Sequence, residues 1–313
     1  MPAKQRDGAT ESLTTALLAR TSRTFALSIP LLPEPTRSAV SLAYLWFRIV
    51  DTLEDAPGWS RDERTRALNE FAELALAPSS ERARASSSAW LSRGPTIDAG
   101  CRDLLEASPL LIEELERCSP EVREAIFTHC HRTALGMREV LAAADAKARF
   151  RLTQLRQLRA YCYVVAGIVG ELLTVIFVHD APGLLRVKSI LCEHEAAFGE
   201  GLQLVNVLKD ELEDQREGRV YLPADVPRKA VFALARADLE RARCYIQALE
   251  HGGAPRGIVA FTELPARLAD AALDCLEQRG PGAKVPRPEV LRILESVQHS
   301  ATAAHSASAQ SGK

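Results

Sequence analysis

Apolar residues recur at helical spacing along most of the chain. Leu42, Leu45, Phe47, Ile49 and Leu53 form one such run, and Leu152, Leu155, Leu158, Cys162 and Val165 form another. No alternating Val/Ile/Thr run flanked by hairpin turn residues competes with them. Breakers divide the pattern into roughly ten helices. Pro30, Pro33 and Pro35 separate the first helix from the second, and Pro57-Gly58 ends the second. Pro78-Ser79-Ser80 and the Ser86–Ser88 run flank a polar connection reaching Gly94-Pro95. Ser119-Pro120-Glu121 caps a helix, with Pro at its first position. Asp180–Gly183 and Gly252–Pro255 are further breaks, and no internal repeat is present. The pattern predicts one all-α domain over residues 15–297, with a flexible N-terminus over 1–14 and a disordered Ser/Ala/His-rich tail over 298–313.

Composition narrows the class. The 313 residues carry 39 Lys+Arg against 41 Asp+Glu, and 47% are hydrophobic. A net charge of −2 removes the long-range field of a nucleic-acid binder, and the apolar content excludes wholesale disorder. The start mixes Lys4, Arg6, Asp7 and Glu11, unlike a signal peptide. Tyr161–Val178 is greasy but interrupted by Gly167, Gly170 and Glu171, and it falls short of the ~20 residues of a membrane span. It reads as a buried helix. Seven scattered cysteines without a C-x-x-C pair imply reduced thiols in a cytoplasm. His129-Cys130-His131 is read as packing, because adjacent helical side chains diverge and cannot share one metal.

Two acidic motifs carry chemistry. Asp51-Thr52-Leu53-Glu54-Asp55 and Asp210-Glu211-Leu212-Glu213-Asp214 both read D-x-x-E-D at the end of an apolar helix. Positions i, i+3 and i+4 share a helix face, so each projects three carboxylates to one side. Their mutual repulsion calls for a compensating cation, and Mg²⁺ suits carboxylates shared with substrate phosphates. Polar stripes lead into both: Tyr44, Arg48, Asp51 and Asp55 on one helix, Gln203, Asn206, Asp210, Glu213 and Asp214 on the other. A polar stripe on a mostly apolar helix suggests a lined cavity.

Taken with these motifs, four segments resemble the squalene/phytoene synthase family. They are Ser22–Phe25, Tyr44–Asp55, Tyr161–Gly170 and Gly201–Asp214, the last followed by Gly218-Arg219-Val220-Tyr221-Leu222-Pro223. The likeness runs from about residue 15 to 295 and is nearest to bacterial squalene-forming members. It implies the single-domain helical isoprenoid-synthase fold around a central cavity. Asp51, Glu54, Asp55, Asp210, Glu213 and Asp214 would then hold Mg²⁺ against prenyl diphosphate. Arg23 and Arg48 match diphosphate-contacting positions. Lys209 stands where many relatives carry Arg, which keeps the charge and loses the fork. Tyr161 corresponds to a tyrosine near the carbocation, and Tyr44 shares the Arg48–Asp51 face. Gln203 and Asn206 would orient phosphate, metal or water, while Arg219 and Tyr221 would close a flap.

The implied reaction is that of a farnesyl-diphosphate farnesyltransferase: two farnesyl diphosphates condense head to head through presqualene diphosphate to squalene. Leu31-Leu32-Pro33-Glu34 and Asp51–Asp55 look like squalene synthases, whereas Val169–Thr174 also looks like dehydrosqualene synthases. Ala283-Lys284-Val285-Pro286-Arg287 is similar to a basic loop near NADPH phosphates, with Lys284 and Arg287 as its cations and Pro286 departing from the pattern. Phytoene, dehydrosqualene, presqualene diphosphate and hydroxysqualene are the alternative products; a non-catalytic helical paralogue is the remote alternative. The D-D-x-x-D motifs of head-to-tail synthases are absent. The expected setting is cytoplasmic, with peripheral contact at the inner face of the cell membrane and no transmembrane segment.

Overall fold

The fold is seen in a computed structural model that describes residues 13–22, 25–147 and 149–310, with side chains as far as Ala301. Helices dominate: α1 Thr36–Asp55, α2 Arg61–Leu76, α3 Ser80–Ser92, α4 Ala99–Leu115, α5 Pro120–Ala142, α6 Leu155–Cys162, α7 Ile168–Asp180, α8 Lys188–Arg216, α9 Arg228–His251, α10 Arg256–Arg279 and α11 Arg287–Gln310. Among the described residues the strands are only β1 Phe150–Arg151 and β2 Arg219–Val220, a parallel pair. The all-α expectation holds.

The expected single domain divides into two compact units, 1–26 with 38–148 and 27–37 with 149–313. The division crosses the chain at 26/27, at 37/38 in the first turn of α1, and at 148/149, with no Gly/Pro/Ser-rich linker at any of them. In the first unit α1 packs its Trp46 against Phe71 of α2 and Phe127 of α5, with ring centroids 5.8 and 5.4 Å apart. α2 opens with a capping box in which the Ser60 amide donates to Glu63 Oε2 at 2.7 Å. Ser119 caps α5 with Pro120 at its start, as the sequence predicts.

The polar connection expected around Ser86–Ser88 is instead helix α3. Ser79 caps it, Ala83 and Trp90 are fully buried, and the Ser87 hydroxyl donates to the Leu105 carbonyl at 2.7 Å. The one buried serine of a run that reads as a loop is here satisfied by a neighbouring helix, and Ser88 faces solvent.

The second unit is built on α8, which packs along α9 and crosses α7. α6 runs into α7 through a π turn, Tyr163–Gly167, giving a continuous helix from Leu155 to Asp180. That corrects the length expected for the Tyr161–Val178 segment: by length and composition the helix suffices to cross a membrane, and half of its most apolar stretch is buried within the protein. Glycines permit the crossing. A Cβ on Gly170 would meet the Glu195 carbonyl oxygen at 1.9 Å, and one on Gly199 would meet that of Ala166 at 1.9 Å. Side-chain-free positions are what let these two backbones approach so closely.

α11 runs to Gln310, so the tail expected from Gln298 begins inside a helix rooted by the buried Ile293 and Val297. Alanines at 301, 303, 304, 307 and 309 favour that continuation. Most of the N-terminus expected to be flexible lies outside the described residues.

Candidate active site

α1 presents its polar residues as a single file. From Ala39 to Ala56 every residue is buried except Tyr44, Arg48, Asp51 and Asp55, the stripe predicted from spacing. Arg48 Nη1 lies 3.7 Å from Asp51 Oδ2, and Nη2 donates to Cys101 Sγ at 3.8 Å. The Arg48 Nε is buried with no hydrogen-bond partner. A fork with one edge paired and one donor unsatisfied is suited to an anion. Burial pushes the Asp51 carboxyl up to about 6, Arg48 opposes this and Asp55 adds to it. The Asp51 side chain keeps 38% of its surface open, so water reaches a carboxyl otherwise surrounded by protein. Burial also pushes Tyr44 up, and its hydroxyl donates to the Thr21 carbonyl at 2.9 Å.

Glu54 departs from the expected trio. It is only 7% exposed, off the open file, and its carbonyl accepts from Arg64 Nη1 at 2.9 Å. The first motif therefore opens two carboxylates rather than three. Arg23 lies outside the described residues.

On α8 the stripe Gln203, Asn206, Asp210, Glu213 and Asp214 also stays out of the core. Lys209 Nζ donates to Asn206 Oδ1 at 3.1 Å and lies 3.3 Å from Asp210 Oδ2. Arg219 Nη2 reaches Asp214 Oδ1 at 3.5 Å and Glu217 Oε2 at 2.5 Å. Glu211, inside the same motif, is taken by Arg228.

Arg219 and Tyr221 do not form a loose flap. β2 is tied to β1, with the Leu152 amide donating to the Val220 carbonyl at 2.8 Å. Tyr221 is 7% exposed, its ring 4.5 Å from that of Tyr161 and 5.0 Å from that of Phe150. Tyr161 thus packs at a tilt of 35° on a buried aromatic. Lys284 and Arg287 are exposed, with Arg287 opening α11.

The sequence reading missed two buried carboxylates, Glu200 one turn above Gln203 and Asp238 of α9, with exposed arginines beside them. Glu200 lies 3.7 Å from Arg159 and abuts the π turn at Gly167. Burial raises the carboxyls of Glu200 and Asp238, and Arg159 and Arg241 oppose it. A step of three residues back from Gln203 is the signal that would have found Glu200.

Among the described residues no three His, Cys, Asp or Glu side chains converge closely enough to hold a metal by themselves. Each open file instead offers carboxylates beside a cation. That donor set fits Mg²⁺, which takes one or two carboxylates and completes its shell with water and substrate phosphate. Asp51, whose ionised form is disfavoured by burial, would gain from such a cation.

Residues 18–232 match the squalene/phytoene synthase family model. The chain belongs to the squalene/phytoene synthase family. The squalene synthase of Eremothecium gossypii is 31% identical over 216 residues, covering 67% of this chain and 45% of that protein. The human squalene synthase is 30% identical over 229 residues, 72% of this chain and 50% of that protein. The chain thus spans about half the length of these relatives. A solved structure of TcSQS with the ligand BPH1237 superposes with a TM-score of 0.74 at 23% identity, over 91% of this chain and 85% of that one. A dehydrosqualene synthase in complex with a ligand gives a TM-score of 0.61 at 19% identity, over 94% and 97%. Both likenesses establish the helical fold of the family.

Proposed function

We propose that this family member is a Mg²⁺-dependent farnesyl-diphosphate farnesyltransferase that joins two farnesyl diphosphates through presqualene diphosphate to squalene. The observation that carries the reading is the open file Tyr44–Arg48–Asp51–Asp55 on an otherwise buried helix, in a chain of this family. Mg²⁺, when bound, neutralises the diphosphate leaving group. In the α1 file Asp51 and Asp55 would hold such an ion, with Glu54 supporting them from within, and in the α8 file Asp210 and Asp214 with Glu213 would do so.

The chain's own side chains then divide the work. Arg48, with Nε unpaired, binds a diphosphate oxygen. Lys209 holds Asn206 and Asp210 in place and contributes charge, with Gln203 orienting phosphate or water one turn earlier. Tyr161 offers its ring face to developing positive charge and its phenol to a proton; Tyr221 fixes that ring, and Arg219 fixes Asp214. Tyr44 supports Arg48 from the same face. NADPH, when bound, supplies the hydride that ends the sequence, and the exposed Lys284 and Arg287 at the start of α11 suit its phosphates. The expected setting is the cytoplasm.

Purified protein incubated with Mg²⁺ and farnesyl diphosphate, with and without NADPH, tests this by gas chromatography–mass spectrometry. Squalene formed only with NADPH is the expected result. Dehydrosqualene, hydroxysqualene or presqualene diphosphate would overturn the assigned product but keep the condensation. Product only from geranylgeranyl diphosphate would overturn the substrate, and no product from either would overturn the reading.

A further inference from the structure

The turn that joins α7 to α8 exposes apolar side chains in one place. The glycine contacts set an antiparallel register, 170 against 195 and 166 against 199, and the same register carries Val175 of α7 to Ile190 of α8. These two are 41% and 45% exposed, and Leu185 in the connecting turn is 60% exposed. Pro182 and Gly183 complete an uncharged tip. Lone exposed leucines are ordinary, but three large aliphatics gathered at one helix-pair end are not.

Cations rim the patch. Arg186 follows Leu185 and donates through Nη2 to the Gly252 carbonyl at 2.8 Å, exposed Lys188 precedes Ile190, and His179 lies one turn beyond Val175. Among acids at this end, Asp180 accepts from the Thr36 hydroxyl at 2.7 Å, pairs with His179 at 2.8 Å and keeps only 7% of its side chain open. Glu193 is exposed one turn further along α8, behind Ile190, and Glu250, beside the Gly252 turn that Arg186 contacts, is paired with Arg256 at 2.6 Å. The outer end therefore presents hydrocarbon with positive charge just behind it. That order matches a bilayer, whose anionic headgroups lie over its acyl region.

We infer that the α7–α8 turn, through Val175, Leu185 and Ile190 with Arg186 and Lys188, is an interfacial docking surface for a membrane containing anionic lipid. The inference stands apart from the condensation reading and its test needs no substrate. The helix pair does not span the bilayer: the tip enters the headgroup region while the glycine crossing stays in the protein.

Sedimentation of the full chain with phosphatidylcholine vesicles, with and without phosphatidylglycerol, tests it. Binding should require phosphatidylglycerol and weaken with added salt. Lys188→Glu should lower the vesicle partition coefficient by about fivefold or more, the size expected for a cation near an anionic surface. Leu185→Asp should lower it at least as far, while Leu76→Asp, at a 70% exposed leucine of the other unit, should leave it unchanged. Circular dichroism checks that each variant is folded. The inference is overturned if wild type binds neither vesicle, if Leu185→Asp binds like wild type, or if sedimentation velocity without lipid shows a dimer that Leu185→Asp dissolves.

Discussion

Gly199→Ala puts one methyl where the π turn's backbone already stands. The new Cβ would lie 1.9 Å from the Ala166 carbonyl oxygen, 2.4 Å from its carbon and 3.0 Å from the Gly167 nitrogen. An ordinary carbon contact needs ~3.5 Å, so the π turn and α8 must separate by more than ~1 Å. No rotamer relieves this, because the obstacle is main chain. Overpacking of this kind costs up to about 3 kcal/mol, and alanine's better helix propensity returns about 1 kcal/mol. The net is a loss of about 2 kcal/mol, or ~4 °C in Tm for a chain of this size. Thermal unfolding followed by far-UV circular dichroism in metal-free buffer measures it. Gly183→Ala is the control, since its Cβ would meet only the Gly252 carbonyl oxygen at 3.7 Å. A Gly199→Ala protein as stable as wild type would show that the helices do not depend on that contact.

Asp51→Asn should abolish turnover and yet stabilise the metal-free protein at neutral pH. The folded carboxyl, at about 6 against an ordinary 3.8, holds its proton more tightly than the unfolded one. Its favourable contribution is therefore complete below pH ~4 and lost as pH rises to ~6. Two pKa units correspond to about 3 kcal/mol, reduced to about 1 kcal/mol by water reaching the side chain. Denaturant midpoints across that range should flatten in the variant; an unchanged slope would refute the assignment. Tyr221→Ala should cost about 3 kcal/mol through lost contact with Tyr161 and Phe150, and Tyr221→Phe should cost little, read by the same melts. Glu211→Gln should cost about 1 kcal/mol of stability while keeping most activity, and Asp210→Asn should do the reverse, because Glu211 serves Arg228 and Asp210 lies on the open file. Matching losses of activity in both would break that distinction.

What was legible in the sequence was whatever repeats along one helix. The file on α1 follows from a period of 3.6, and so does most of the α8 stripe. Glu54 shows the limit: i+3 spacing puts it near Asp51 and Asp55, but the pitch carries it far enough round to meet the core. Helix α3 was hidden because Ser86–Ser88 has loop composition, and it is the Leu105 carbonyl, from a different helix, that lets Ser87 be buried there. Tyr221 read as part of a flap because its partners, Phe150 and Tyr161, lie far back in the chain. The π turn and the division into two units leave no local mark either: Gly199 meets Ala166 from a distant helix, and one crossing between the units falls inside the first turn of α1.

The single file on α1 has a consequence for how this segment can vary. Substitution at a core position changes volume alone, but inserting or deleting one residue between Arg48 and Asp51 rotates everything beyond it by about 100°. An insertion would swing Asp51 and Asp55 into the buried positions now filled by Thr52 and Ala56, a deletion into those of Val50 and Glu54, and two carboxylates would enter the core without partners. Homologous chains sharing this helix are expected to differ freely in length before Pro35 and after Pro57, while the count of residues from Tyr44 to Asp55 stays fixed.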